Sequence, residues 1–153
     1  MSHQTPTAEA LTELILEIFR VNGRLIAEGD RLTRDFGQTS ARWQVLGAIQ
    51  HKAQPVAAIA RDMGITRQSV QRTADLLEGE RLVEYVDNPA HRRAKLVRLT
   101  REGEETLAGI SNRQIAWTNR LAEALPGEES DIRKAVNILR QLHLELKSGK
   151  EAG

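Results

Sequence analysis

Arg67, Gln68, Gln71 and Arg72 occupy four of six consecutive positions, and they are the residue types that pair edge-on with bases. Arginine sets two parallel donors against guanine, and the donor and acceptor of a glutamine amide match adenine in the major groove. Thr66, immediately ahead of them, can close the first turn of a helix through its hydroxyl and is counted with them as a candidate major-groove contact. A second group stands at His91, Arg92, Arg93 and Lys95, a short basic segment suited to phosphate and to the negative potential of a narrow minor groove. Residues 91–101 hold His91, Arg92, Arg93, Lys95, Arg98 and Arg101 with no acid. Residues 102–131 reverse the sign, with Glu102, Glu104, Glu105, Glu123, Glu128, Glu129 and Asp131 against Arg113 and Arg120. The formal net charge of +1 therefore conceals a cationic patch, and near-neutrality does not argue against nucleic acid.

The elements that must position these residues follow from periodicity. If Val70, Thr73, Ala74 and Leu77 face a core, the helical wheel turns Arg67, Gln68, Gln71, Arg72 and Asp75 outward. The helix ahead carries Val56, Ile59, Ala60 and Met63 and stops at Gly64. Ala60 is small enough for a close helix crossing, Gly64 supplies the positive φ of a turn, and Ile65 and Val70 are expected to plug the angle. This spacing predicts a helix-turn-helix. Leu82–Val86 and Lys95–Leu99 are rich in β-branched and aromatic residues, with Asp87-Asn88-Pro89 between them, which predicts a two-stranded hairpin with a basic loop.

Outside that segment the chain reads as helix. Leu11, Leu14, Ile15 and Ile18 form one stripe that continues toward Leu32, weakened by Gly23 and Gly29. Ser40 is placed to cap a second helix carrying Trp43, Val45, Leu46 and Ile49, and Gln54-Pro55 ends it. Thr100 can cap a long helix with Leu107, Ile110, Trp117, Leu121 and Leu125, broken by Pro126-Gly127. A last helix carries Ile132, Ala135, Val136, Leu139, Leu142 and Leu146.

The 153 residues are 40% hydrophobic and 3% aromatic with no cysteine, a length that fits one domain able to bury a core. The missing cysteines exclude disulfide scaffolds, thiol nucleophiles and cysteine-based redox sensing. No apolar run reaches membrane-spanning length and the N-terminus lacks a secretory pattern, so a cytoplasmic protein is expected. Catalytic motifs are missing, the acid pairs sit at helix starts where the dipole explains them, and His3, His51, His91 and His143 lack metal-ligand spacing. Neither enzyme chemistry, cofactor nor metal is expected. Trp43 reads as core. Arg20 and Arg24 can either meet an anion or pair with nearby carboxylates.

Three stretches carry a family resemblance: Ser40-Ala41-Arg42-Trp43-Gln44-Val45-Leu46, the Ile59–Val70 motif, and Asn88 through Gly103 with its Leu99-Thr100-x-x-Gly103 ending. Together they resemble the MarR family of winged helix-turn-helix regulators. The resemblance implies a mainly α fold: a winged helix-turn-helix with a two-stranded hairpin wing, flanked by N- and C-terminal dimerisation helices. It further implies one domain over 1–153, with 8–35 and 101–148 as dimerisation helices and 36–100 as the DNA-binding lobe. The expected activity is binding of a pseudo-palindromic duplex operator by a homodimer, as a repressor released by a small molecule. The family's effector pocket lies between the dimerisation helices and that lobe, which makes Trp117, Arg20 and Arg24 candidate contacts for an aromatic or anionic effector. Where the family usually has an Asp two residues before the wing arginine, this chain has His91, which at neutral pH cannot fix Arg93 as a carboxylate would. The alternative is a winged-helix protein-interaction module without DNA, which calls for apolar residues where Gln68, Gln71 and Arg72 stand.

Overall fold

The computed structural model describes residues 3–151. In chain order these form α1 (Pro6–Thr33), a 3-10 turn (Arg34–Phe36), α2 (Ser40–Ala48), β1 (Gln54–Pro55), α3 (Val56–Met63), α4 (Arg67–Gly79), β2 (Val83–Val86), β3 (Leu96–Leu99), α5 (Arg101–Ala124) and α6 (Glu129–Glu151). They divide into two compact units that meet within α5, between Ile115 and Ala116.

The first unit is a winged helix. Its core gathers Val45, Leu46 and Ile49 of α2, Ile59 and Ala60 of α3, Val70, Ala74 and Leu77 of α4, Val83, Val97 and Leu99 of the sheet, and Leu107 of α5. The expected helix-turn-helix is present, with Gly64 at φ 67° closing α3 and the Thr66 hydroxyl accepting from the Ser69 N–H at 3.1 Å. Ile65 departs from expectation, because it is 44% exposed and does not plug the helix angle. Val70 does that alone, being fully buried.

The predicted hairpin gains a third strand. β3 lies between β2 and β1, antiparallel to both, with Val97 opposite Tyr85 on one side and Gln54 on the other. Gln54-Pro55, expected to end one helix and open the next, does stand at the start of α3 with Pro55 as its N-cap, and it is in addition that edge strand, a position where proline's missing N–H is tolerated. Ser40 is likewise not the cap of α2. Thr39 takes that role, accepting from the Arg42 N–H at 3.3 Å, while Ser40 is buried in the first turn and its N–H donates to Asp30 Oδ1 at 2.7 Å. Gly29, read as a weak point in α1, is what admits this crossing, since a Cβ there would stand 2.5 Å from Ser40 Oγ.

The base of the wing is fastened by Thr100 and Gly103. The Thr100 N–H donates to the Leu82 carbonyl at 3.1 Å, its hydroxyl donates to the Arg81 carbonyl at 2.6 Å, and the same oxygen accepts from the Gly103 N–H at 3.0 Å. A Cβ on Gly103 would sit 2.0 Å from the Leu82 oxygen. Phe36 packs in the same fashion against Gly109, with Arg113 stacked 5.0 Å above its ring and paired to Asp35 at 2.7 Å.

The second unit holds the end of α5 and α6, separated by the Pro126-Gly127 break, where Gly127 adopts φ 110° and Asp131 Oδ2 accepts from the Glu128 N–H at 3.0 Å. Ile132, Val136 and Leu139 on α6 are exposed, as are Leu11 and Phe19 on α1 of the first unit.

Gly103→Ala forces the wing base apart and should lower stability by about 1–3 kcal/mol, the usual range for overpacking. Gly23→Ala, with open space around it, should raise stability by about 0.5–1 kcal/mol. Urea unfolding of both variants measures the contrast.

Candidate nucleic-acid interface

The inner face of α4 is fixed by burial of Val70, Ala74 and Leu77, so Arg67, Gln68, Gln71, Arg72 and Asp75 are exposed, as the wheel predicted, and Thr66 is exposed at the cap ahead of them. Opposite them the wing loop is shaped by a short turn. Asn88 Oδ1 accepts from the Ala90 N–H at 3.0 Å, its carbonyl accepts from the His91 N–H at 3.1 Å, and the His91 carbonyl accepts from Ala94 at 3.2 Å. His91, Arg92, Arg93 and Lys95 are exposed on this loop.

Between α3, α4 and the wing lies a cleft of about 940 Å³. It brings together Arg67, Gln68 and Gln71 from the helix with His91, Arg93 and Lys95 from the loop. Thr66, Arg72 and Arg92 do not line it, and the Thr66 hydroxyl is committed to the cap. Arg61, Asn88 and Tyr85 also line it and were not singled out in the sequence. Arg61 belongs to the Ile59–Val70 motif but lies on α3, outside the face of α4 that the helical wheel turns outward, and it joins the set because the cleft spans α3, α4 and the wing. Among the described residues no carboxylate lines the cleft.

The basic run is less uniform than its composition. Arg98 donates from Nε to Glu84 at 2.9 Å across the hairpin, and Arg101 to Glu105 at 3.1 Å. Arg61, Arg67, Arg93 and Lys95 form no ion pair among the described residues. The cleft therefore keeps its positive charge while the base of the wing is neutralised.

One hydrogen-bonded triad joins α4 to the wing. The Tyr85 hydroxyl donates to Asp75 Oδ1 at 2.6 Å, and Gln71 Nε2 lies 2.9 Å from both oxygens. Burial of the ring, reinforced by the Asp75 hydrogen bond and charge, holds the Tyr85 phenol well above the ordinary tyrosine range. The phenol thus stays protonated and remains a donor at neutral pH.

Arg20 and Arg24 are exposed on α1, Arg20 being paired with Glu17, and Trp117 is half-buried in the second unit.

A sequence model of the MarR family matches residues 36–94. The Mycobacterium tuberculosis protein Rv2011c, itself uncharacterised, is 34% identical over 141 residues, covering 92% of this chain and 97% of its own. Among solved structures, CouR from Rhodococcus jostii RHA1 bound to p-coumaroyl-CoA matches with a TM-score of 0.76 at 22% identity, over 85% of this chain and 91% of that one. Reduced AbfR bound to DNA matches with a TM-score of 0.71 at 16% identity, over 95% and 98%. At these identities the two structures speak for a shared fold.

Tyr85 is the only tyrosine, so phenolate absorbance near 295 nm reports it alone. It should fail to ionise near pH 10 and do so only at higher pH, and Asp75→Ala should bring the transition down toward the ordinary value. Because the folded pKa is raised, the associated stability is full below about pH 10 and declines as pH rises beyond it.

Proposed function

We propose, from the premise that the chain belongs to the MarR family of winged helix regulators, that it binds duplex DNA sequence-specifically as a homodimer and represses transcription until a small molecule releases it. The observation that carries this reading is the acid-free cleft in which Arg61, Arg67, Arg93 and Lys95 converge beside the polar face of α4. Arg67, Gln68, Gln71 and Arg72 would enter the major groove, where their side chains can meet base edges. Arg92 and Arg93 at the wing tip would reach the adjacent minor groove, and His91 and Lys95 the backbone. A protein-docking module would need apolar residues at those α4 positions, and they are polar.

Uncovered apolar surface supports the dimer. Leu11, Leu16 and Phe19 on α1 and Ile132, Val136, Leu139 and Leu146 on α6 are exposed in the single chain, and a second copy would bury them in a self-complementary contact. Two-fold symmetry would then set the two α4 helices about 34–36 Å apart, in successive major grooves of a pseudo-palindrome.

Control by a small molecule is the natural alternative to thiol sensing in a chain without cysteine. An aromatic effector suits the chemistry of Trp117 and an anionic one that of Arg20 or Arg24, and CouR, of like fold, was solved bound to p-coumaroyl-CoA. Such a ligand can shift DNA affinity only by the difference between its affinities for the DNA-competent and incompetent states.

Gln68→Ala or Arg72→Ala should lose about 1–3 kcal/mol at particular base pairs. Arg93→Ala should weaken all sequences alike and flatten the salt dependence. Footprints and salt titrations separate the two classes, and a single unpaired half-site would contradict the dimer.

A panel of aromatic acids should contain one that releases the operator and changes tryptophan fluorescence. Release by peroxide with no response to any acid would reject ligand control.

A further inference from the structure

Asp75 and Tyr85 hold the Gln71 amide in one of its two orientations. An ionised carboxylate can only accept, so the amide atom 2.9 Å from Asp75 Oδ1 must be Nε2 and not Oε1. The Tyr85 hydroxyl gives its single proton to the same Oδ1 at 2.6 Å and therefore meets Nε2, also at 2.9 Å, as an acceptor. Two oxygens so close together share one of the amide's two N–H groups. The second N–H stays available beside Oε1, on an exposed side chain that lines the cleft. The outer edge of Gln71 thus carries a donor and an acceptor side by side.

A glutamine amide on an open helix face can turn over. One way round, its donor and acceptor together match N7 and the N6 amino group of adenine; turned, its NH₂ group can meet the two acceptors of guanine, N7 and O6. In this chain turning is opposed, because it would set Oε1 against two oxygens whose one proton is already shared between them. We propose, resting on the DNA-binding reading above, that Asp75 and Tyr85 are positioning residues that fix Gln71 as a reader of adenine and exclude guanine.

Adenine alone takes both atoms of the held edge: N7 accepts from the N–H, and the N6 amino group donates to Oε1. Guanine satisfies the N–H through N7 but sets O6 against Oε1, two acceptors face to face. Cytosine and thymine each present one polar atom and leave the other amide atom unmatched. One unmade hydrogen bond costs about tenfold in affinity. The same contacts give Asp75 a use: a carboxylate on the outward face of α4 opposes phosphate, yet this one is exposed there and its hydrogen bonds among the described residues are to Gln71 and Tyr85.

The test is selection of binding sites by the full-length protein from a randomised duplex library, with Gln71→Ala, Asp75→Ala and Tyr85→Phe in parallel. Gln71→Ala identifies the column by flattening it. The wild-type protein should favour adenine there, about tenfold over each other base. Without the Asp75 carboxylate the Tyr85 proton is free for Oε1 and the amide can turn. Asp75→Ala should therefore raise guanine about tenfold, to parity with adenine, and leave the other columns unchanged. Tyr85→Phe keeps the ring and the Asp75 contact, so it should admit guanine by a smaller factor, and it decides the matter if Asp75→Ala does not fold. Loss of a negative charge by itself tightens every sequence alike, so variants that bind more strongly throughout, or not at all differently, with the column unmoved overturn the proposal. A Gln71→Ala profile identical to the wild type does so too, as does a wild-type column that adenine does not lead. Each of these leaves sequence-specific binding intact. A wild-type selection with no enriched sequence overturns sequence-specific binding itself, and the proposal with it.

Discussion

Burial of the inner face of α4 is the constraint on which the rest of the structure depends. Val70, Ala74 and Leu77 are fully buried, and removing a valine or leucine side chain from water contributes about 1.5–3 kcal/mol each. Turning α4 by one residue would carry Gln71 and Asp75 inward and Val70 outward, exchanging apolar burial for unpaired polar groups. The helix therefore has one rotational setting, and the polar face opposite is a consequence of it. Whatever that face contacts, its orientation is set from inside.

The ends of α4 are fixed as firmly as its face. Thr66 caps the start, and at the other end Glu80 accepts from Arg42 of α2 at 2.6 Å and from Gln38 of the segment before it at 2.8 Å, tying the helix to both. Arg81 then takes φ 63° to turn the chain into β2, a conformation that costs a residue with a Cβ about 1–2 kcal/mol. Its carbonyl and that of Leu82 are held by Thr100, and Gly103 leaves room for the contact. The helix α4 and the wing thus share one anchor, so the loop residues are positioned relative to α4 although nine residues separate β2 from β3.

Charge becomes specific through pairing. Surface ion pairs contribute only about 0–1 kcal/mol to stability, and the pairs at Arg98, Arg101 and Arg113 matter more for the field they cancel. What remains near α4 is a group of cations with no carboxylate among the cleft residues. A chain of net charge +1 can in this way present a strongly positive concavity, where the surrounding low-dielectric walls concentrate its potential.

The sequence by itself determined the elements and the outward set on α4. Period 3.6 gave the helices, the Ala60/Gly64/Val70 spacing gave the turn between two of them, and β-branched runs around Asp87-Asn88-Pro89 gave the hairpin, because each is a local property of neighbouring residues. Thr66, Arg67, Gln68, Gln71 and Arg72 were legible for the same reason. Only the tertiary structure decided that Gln54-Pro55 would pair with Val97 and Leu96, that Ser40 would yield the cap to Thr39 and need Gly29 beside it, and that Arg61 would join the cleft. Only there does Tyr85 reach Asp75 and Gln71. These contacts join residues whose partners lie on other elements, and no periodicity records which oxygen a glutamine amide will face once two elements are packed together.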